Sequence, residues 1–159
     1  MLLSFFSKGA IAQIEGTWKG TVLYKYNKDI GVFHLVIEKV EEEKVYGYTW
    51  IDFGQCAAKT AVVGTYKENE LKIKEVQILN ERGEYCDWCL LEAKLTLNEV
   101  EGKKNIEGKY MRRDERRNIC EQGRLILTKK EELKKDGMVK SKEKNDTIIM
   151  KANKQILVH

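Results

Sequence analysis

Residues 16–129 form a succession of short segments in which apolar and polar residues alternate with a period of two. This alternation predicts β-strands that bury one face and expose the other to water. The segments are rich in β-branched and aromatic residues, and charged or glycine-containing breaks separate them. No segment in this region carries a stripe of period 3.6 long enough to predict a helix. The pattern therefore predicts an all-β domain.

The number and spacing of these segments predict how the strands are arranged. The alternation is clearest in the sixth segment, where one face holds Leu91, Ala93, Leu95 and Leu97. The connections are too short for crossovers, so neighbouring strands should be antiparallel. Eight such strands favour a closed up-and-down barrel, which has no exposed sheet edges, and a β-sandwich is the main alternative. The predicted strands are 17–27, 31–40, 44–52, 59–67, 70–80, 88–98, 105–112 and 123–129.

A glycine two residues before an aromatic recurs along the barrel region. It occurs at Gly16-Thr17-Trp18, Gly64-Thr65-Tyr66 and Gly108-Lys109-Tyr110. Glycine weakens a strand, so it is usually kept for a bend or for close packing against a large neighbour. Strands that coil around a small barrel need such points. The repeat therefore supports the barrel.

The net charge of +4 belongs to the C-terminal tail. Residues 129–159 hold nine lysines and five acidic residues, which leaves 20 of the 29 basic and 20 of the 25 acidic residues for positions 1–128. A lysine-rich tail is usually solvated, so we predict no nucleic-acid partner. We assign 13–130 to the barrel and 131–159 to a lysine-rich linker ending in a short β-hairpin or the start of a truncated second module. No apolar run approaches the ~18 residues that span a bilayer, so the chain is not predicted to cross a membrane.

Residues 1–12 are interpreted as a signal peptide or, alternatively, an N-terminal arm. Ala10 and Ala12 precede Gln13 in a pattern typical of a cleavage site, although the apolar stretch is short and Lys8 interrupts it. Together with the cysteines, this favours a secreted, periplasmic or cell-envelope location.

The four cysteines are expected to lie at one end of the barrel. If strands alternate in direction, every odd-to-even connection is at that end, which places Cys56, Cys86, Cys89 and Cys120 together. An even number of clustered cysteines favours two disulfides. Cys89 with Cys120 would join adjacent hairpin ends, which leaves Cys56 with Cys86. This connectivity is a hypothesis.

A zinc or redox site is the alternative at the same cysteines. Cys86 and Cys89 form a Cys-x-x-Cys pair, and the other two thiols would complete a Cys₄ shell. A redox pair would need a helix N-terminus to lower a thiol pKa, whereas this pair opens a strand.

No catalytic constellation is present, so we predict no enzyme activity and no cofactor. His34 lies in an alternating strand and is interpreted as a half-exposed strand residue. Glu38 and Glu75 are candidates to point inward, where a buried carboxylate would be functional. The candidate ligand-binding residues at the barrel mouth or interior are Tyr24, Tyr26, Trp50, Phe53, Trp88 and Arg112. Arg112 begins a run to Arg117 that we assign to a solvated loop.

The segment Gly16-Thr17-Trp18 resembles the G-x-W of lipocalins and other calycins, in which the tryptophan packs across the closed base of an eight-stranded barrel. The longer pattern is similar to lipocalin-like domains of exported Bacteroidetes envelope proteins, which often precede another envelope or peptidase module. It comprises Gly16-Thr17-Trp18-Lys19-Gly20, Val45-Tyr46-Gly47, Leu71-Lys72-Ile73-Lys74-Glu75, Trp88-Cys89, Ile106-Glu107-Gly108-Lys109-Tyr110, Cys120 and Gly123-Arg124-Leu125-Ile126-Leu127. The resemblance covers about residues 14–130. It implies export, a barrel, Trp18 at the base and a Cys89–Cys120 bond, and it carries no activity; the pair Cys56 and Cys86 departs from the family.

Three functions follow as hypotheses. The first is a non-catalytic barrel that holds a small hydrophobic or amphipathic ligand. The second is a structural or protein-interaction domain of a larger envelope protein, whose partner is that protein or a fused downstream module. The third is the Cys₄ zinc or redox module. An apolar cavity of ~300 Å³ or more at the rim would favour the first, and a filled interior would count against it.

Overall fold

The computed structural model describes residues 13–24 and 28–131, with the backbone alone at 28–30. Each strand pairs antiparallel with the next, and β8 pairs with β1, so the sheet closes into a barrel. The predicted all-β barrel is confirmed, and the β-sandwich is excluded. The assigned segment 1–12 and the tail beyond residue 131 lie outside the described residues. The strands are β1 (Gly16–Tyr24), β2 (Lys28–Glu41), β3 (Lys44–Asp52), β4 (Ala57–Lys67), β5 (Glu70–Arg82), β6 (Leu90–Val100), β7 (Lys103–Arg113) and β8 (Ile119–Lys129).

Several strands are longer than their alternation predicts. The eighth begins at Ile119 instead of Gly123, so Cys120 lies inside β8 and not in the connection before it. The backbone pairing with β7 continues through residues 119–122, of which Glu121 is half-buried and the others are exposed. The alternation of apolar and polar residues stops where the strand is no longer buried, but the backbone hydrogen bonds continue. The sequence pattern therefore underestimates the length of the strand.

The two ends of the barrel differ in their connections. At the end we call the base, Glu68 and Asn69 join β4 to β5 with positive φ at both residues, and Glu101 and Gly102 do the same between β6 and β7. Two consecutive residues with positive φ form a tight two-residue turn whose twist matches that of the flanking strands. At the opposite end, which we call the rim, the described connections are longer; they comprise residues 53–56, 83–89 and 114–118.

Large apolar side chains fill the barrel axis. Trp18 lies at the base with none of its surface exposed, and its indole Nε1 donates a hydrogen bond to the carbonyl of Ile14 at 2.9 Å. Because no surface of these side chains is accessible, no void large enough for water touches them, as expected of a close-packed interior. The other fully buried members include Phe33, Leu35, Leu71, Leu91, Leu95, Ile106, Leu125 and Leu127.

Two glycines of the recurring glycine–aromatic pattern permit close approach between strands. A Cβ added at Gly64 would lie 2.1 Å from the carbonyl oxygen of Lys72, and one at Gly108 would lie 2.0 Å from that of Lys94. No side chain fits at such distances. Glycine at these points therefore lets β5 pass across β4 and β6 across β7 in a strongly coiled barrel.

Candidate functional site

Two disulfides tie the rim together, and they are the pairs predicted from the sequence. Cys56 bonds Cys86 with 6.0 Å between their Cα atoms, and Cys89 bonds Cys120 with 6.5 Å between theirs. A zinc or redox site at these cysteines would need thiolates, and all four sulfurs are in disulfides. In residues 13–24 and 28–131, no cluster of three or more histidine, cysteine, aspartate or glutamate side chains has the geometry to hold a metal.

The wall of the barrel splits between β5 and β6 at its rim half. Their ladder pairs residues 70–74 with 92–96 and ends at Lys74. Strand β5 nevertheless continues to Arg82, because residues 75–82 remain paired with β4 on the other side. Beyond Lys74, β5 therefore presents one edge with no strand partner, and we call this gap the split.

Glu75 lies at the point where the two strands separate. Its side chain is buried, with 2% of the residue exposed. One carboxylate oxygen accepts a hydrogen bond from the Thr49 hydroxyl at 2.5 Å, and the other accepts the backbone N–H of Leu91 at 2.8 Å. The carboxylate thus supplies β6 with the acceptor that the backbone of β5 no longer provides.

A buried arginine extends this polar network across the barrel interior. Arg112 is 5% exposed and donates from Nη1 to the carbonyl of Cys89 at 3.1 Å. Its Nη1 lies 3.9 Å from Glu75, and its Nε lies 4.0 Å from Glu121. A buried charge is tolerated only when it is paired, so the two carboxylates compensate the guanidinium.

Tyr110 completes the network. Its hydroxyl donates a hydrogen bond to Glu121. Burial, followed by this hydrogen bond, raises the pKa of Tyr110 well above its ordinary value. The phenol is therefore neutral at any physiological pH and serves as a fixed donor. The polar network thus lies in the rim half of the interior, beside the buried apolar side chains of Phe33, Ile51 and Leu91.

Aromatic side chains cover the network from the rim. Phe53 stacks on Trp88 with 6.1 Å between ring centroids and 25° between planes, and Trp88 packs against the core. The indole Nε1 of Trp88 and the Nε of Arg113 are buried without a hydrogen-bond partner in the described part of the chain. Both residues line a cleft of about 270 Å³ that opens at the split.

The free edge of β5 carries exposed apolar side chains. Val76, Ile78 and Leu79 are 45%, 36% and 51% exposed. Val76 and Leu79 lie at two bulges, where β5 has an extra residue relative to β4. Bulges limit the regular length of an edge, which discourages unspecific sheet extension. The edge that remains fits only a short segment.

The structure places the predicted binding residues at several separate positions. Tyr24 is 37% exposed at the rim end of β1, on the face of Trp18. Trp50 alternates with buried Thr49 and Ile51, so it faces the outside of the barrel and does not line the mouth or the interior as predicted. Tyr26 lies outside the described residues.

Arg112 corrects a second expectation. The sequence predicts a solvated loop for the run that begins there, yet Arg112 belongs to β7 and points inward. The loop begins only at Asp114, whose carboxylate accepts hydrogen bonds from Asn118. These hydrogen bonds hold the pKa of Asp114 below its usual range.

His34 and Glu38 take no part in this site. His34 is half-buried on β2, and burial together with the nearby Lys19 cation lowers its pKa. Glu38 is exposed, because it is out of phase with the buried Leu35 and Ile37 of the same strand.

Alternation alone carries the signal that would have found the interior network. Thr49, Glu75 and Arg112 each fall in phase with buried apolar neighbours on their own strand, as in Leu71, Ile73 and Glu75. A polar residue in that phase is directed into the core. Glu121 likewise falls in phase with buried Leu125 and Leu127, although the predicted strand begins only at Gly123. The split has no comparable signal, because it depends on where β6 begins.

The chain matches no protein-family model, no curated protein and no solved structure. Among the described residues there is no helix of the length and apolar character that crosses a membrane. The closed barrel, the two disulfides and the split are therefore the observations from which a function is proposed.

Proposed function

We propose that the chain is a non-catalytic protein-interaction module, and that its partner adds an extended segment to the free edge of β5. The observation that carries the proposal is the stretch 76–82, which is paired with β4 but has no partner on β6. Within the described residues, every other seam of the barrel has at least seven residue pairs. An unpaired strand presents backbone donors and acceptors that another strand satisfies.

The surroundings of the edge support this proposal. Exposed apolar side chains at Val76, Ile78 and Leu79 offer contacts to alternate side chains of an added strand. The disulfide at Cys89 fixes the first residues of β6 to β8, and the one at Cys86 fixes the end of β5 to the β3–β4 connection. Both walls of the split are thus held apart by covalent bonds, and the edge is preorganised for binding.

A small apolar molecule in the same cleft is the second candidate. The cleft of about 270 Å³ approaches the ~300 Å³ at which small-molecule sites begin. The barrel axis itself supports such a ligand less well, because its side chains have no accessible surface.

The proposal includes an extracellular or envelope setting, as an accessory domain of a larger envelope protein. Two disulfides fit an oxidising environment. In an oxidising environment the disulfides stay formed and hold the free edge of β5 in place without a cofactor.

A peptide selected from a random display library tests strand addition directly. The selected peptide is synthesised with N-methyl groups at single positions. Strand pairing uses alternate backbone N–H groups, so we expect methylation at every second residue to weaken binding at least about tenfold, with little effect at the residues between. Equal tolerance at all positions would contradict strand addition.

Two protein variants locate the site. Ile78→Lys places a charge on the free edge and should abolish binding of the selected peptide. Val32→Lys is the matched control, since Val32 is 44% exposed on a strand paired on both sides. Equal binding to Ile78→Lys, or equal loss in the control, would remove the edge of β5 as the site.

A further inference from the structure

A second surface lies on the outer wall of the barrel, nearer the base than the split. It is a groove of about 950 Å³ that crosses from β3 to β7, and most of its accessible surface is apolar. Tyr46 and Val63, each 38% exposed, contribute apolar surface, together with Met111. We call it the lysine groove, because its charged lining residues are Lys44, Lys72, Lys74, Lys94, Lys109 and Glu92.

The charge of this groove is unusual for the barrel. Five cations face one anion there, although basic and acidic residues are equal in number over positions 1–128. Glu70, beside the groove, pairs with Lys72 at 3.1 Å and Lys94 at 2.9 Å, and these lysines hold the pKa of Glu70 below its usual range. In the described part of the chain, no carboxylate lies within 4.0 Å of Nζ of Lys44 or Lys109.

We propose that the lysine groove binds an acidic, amphipathic segment of another protein. Cationic side chains around an apolar floor are complementary to a segment that alternates acidic and apolar residues. Four strand spacings of about 4.8 Å separate β3 from β7, so the groove follows the curved wall over a path of roughly 19 Å. This surface is distinct from the edge of β5, although Lys74 and Glu92 border both.

Charge separates this occupant from the tail of the chain. The tail of the chain is excluded on charge, because residues 129–159 are themselves cationic, with nine lysines and five acidic residues. The segment must therefore come from an acidic partner.

The test uses a fluorescent ten-residue peptide that alternates glutamate and leucine, with a lysine–leucine peptide as control. We expect the glutamate peptide alone to bind, and to bind less tightly as salt increases. Lys44→Glu combined with Lys109→Glu should weaken binding at least about tenfold. Lys19→Glu with Lys103→Glu makes the same charge change on β1 and at the start of β7, at residues outside the groove, and should leave binding nearly unchanged. Ile78→Lys should also leave it unchanged, which separates this surface from the edge of β5.

Several outcomes would overturn the proposal. Equal loss in the two double variants would show a response to net charge alone. Tighter binding to phosphatidylserine vesicles or duplex DNA, lost in the Lys44→Glu, Lys109→Glu variant, would assign the groove to a membrane or a nucleic acid. Concentration-dependent dimerisation lost in that variant would assign it to a second copy of the chain. Circular dichroism of each variant verifies that the barrel is folded.

Discussion

Relative to the size of its side chain, Glu75 is the residue whose replacement should reduce the free energy of unfolding most. Glu75→Ala leaves the Leu91 N–H without its acceptor, leaves the Thr49 hydroxyl only the carbonyl of Thr60 at 3.5 Å, and removes one of the two carboxylates beside Arg112. An orphaned buried donor costs about 1–3 kcal/mol, and breaking a buried ion pair costs about 3–5 kcal/mol. One carboxylate serves both functions, and its distance to Arg112 is 3.9 Å, so the two costs overlap. We therefore expect a loss of about 3–4 kcal/mol in the free energy of unfolding.

Glu75→Gln separates hydrogen bonding from charge. The amide oxygen still accepts from one donor, so we expect a smaller loss of about 1–2 kcal/mol. Glu38→Ala, on the exposed face of β2, is the control and should change the free energy of unfolding by less than about 0.5 kcal/mol. Urea denaturation followed by tryptophan fluorescence measures all three. A decrease below about 1 kcal/mol for Glu75→Ala would refute the reasoning, because removing the central carboxylate of a buried charge network should destabilise the fold by more than that.

Three further perturbations follow from the packing, the covalent rim and the buried phenol. Trp18→Ala should lose about 3–5 kcal/mol in urea denaturation, and a similar loss for the outward-facing Trp50→Ala would contradict the assignment of Trp18 to the core. Replacing Cys89 and Cys120 with serine opens a link across 31 residues and should lower the free energy of unfolding by about 2–4 kcal/mol; an unchanged denaturation midpoint would contradict this. Burial raises the pKa of Tyr110 above its ordinary value of 10.0, so the neutral phenol stabilises the fold fully below about pH 10 and loses that contribution as pH rises further. Tyr110→Phe should therefore reduce the loss of stability above about pH 10, and an unchanged pH profile would argue against a buried phenol.

The fold was accessible from the sequence because local alternation records burial directly. In β6, Leu91, Ala93, Leu95 and Leu97 alternate with polar residues and are all buried. The short connections then force antiparallel neighbours, and the positions of the cysteines in or next to those connections place all four at the rim. Each of these steps depends only on residues near one another in the chain.

Only part of the candidate site could be predicted from the sequence. The sequence offers both Glu38 and Glu75 as inward carboxylates; Glu75 is in phase with buried Leu71 and Ile73, whereas Glu38 is out of phase with buried Leu35 and Ile37. The split depends on where β6 begins relative to the end of β5, and the disulfide-bonded loop 83–89 sets that distance. Such a register is a tertiary property, which alternation within one strand does not encode.

Backbone amide hydrogen exchange across β5, measured by NMR with and without the selected peptide, tests the central claim most directly. If the edge is free, amides in 76–82 that face away from β4 exchange rapidly in the unbound protein, while those of 70–74 are protected by both neighbours. Bound peptide should slow the rapidly exchanging amides, with no comparable change at Val32. Uniform protection of β5 in the unbound protein, or no change in 76–82 when the peptide binds, would contradict a free edge that accepts a partner strand.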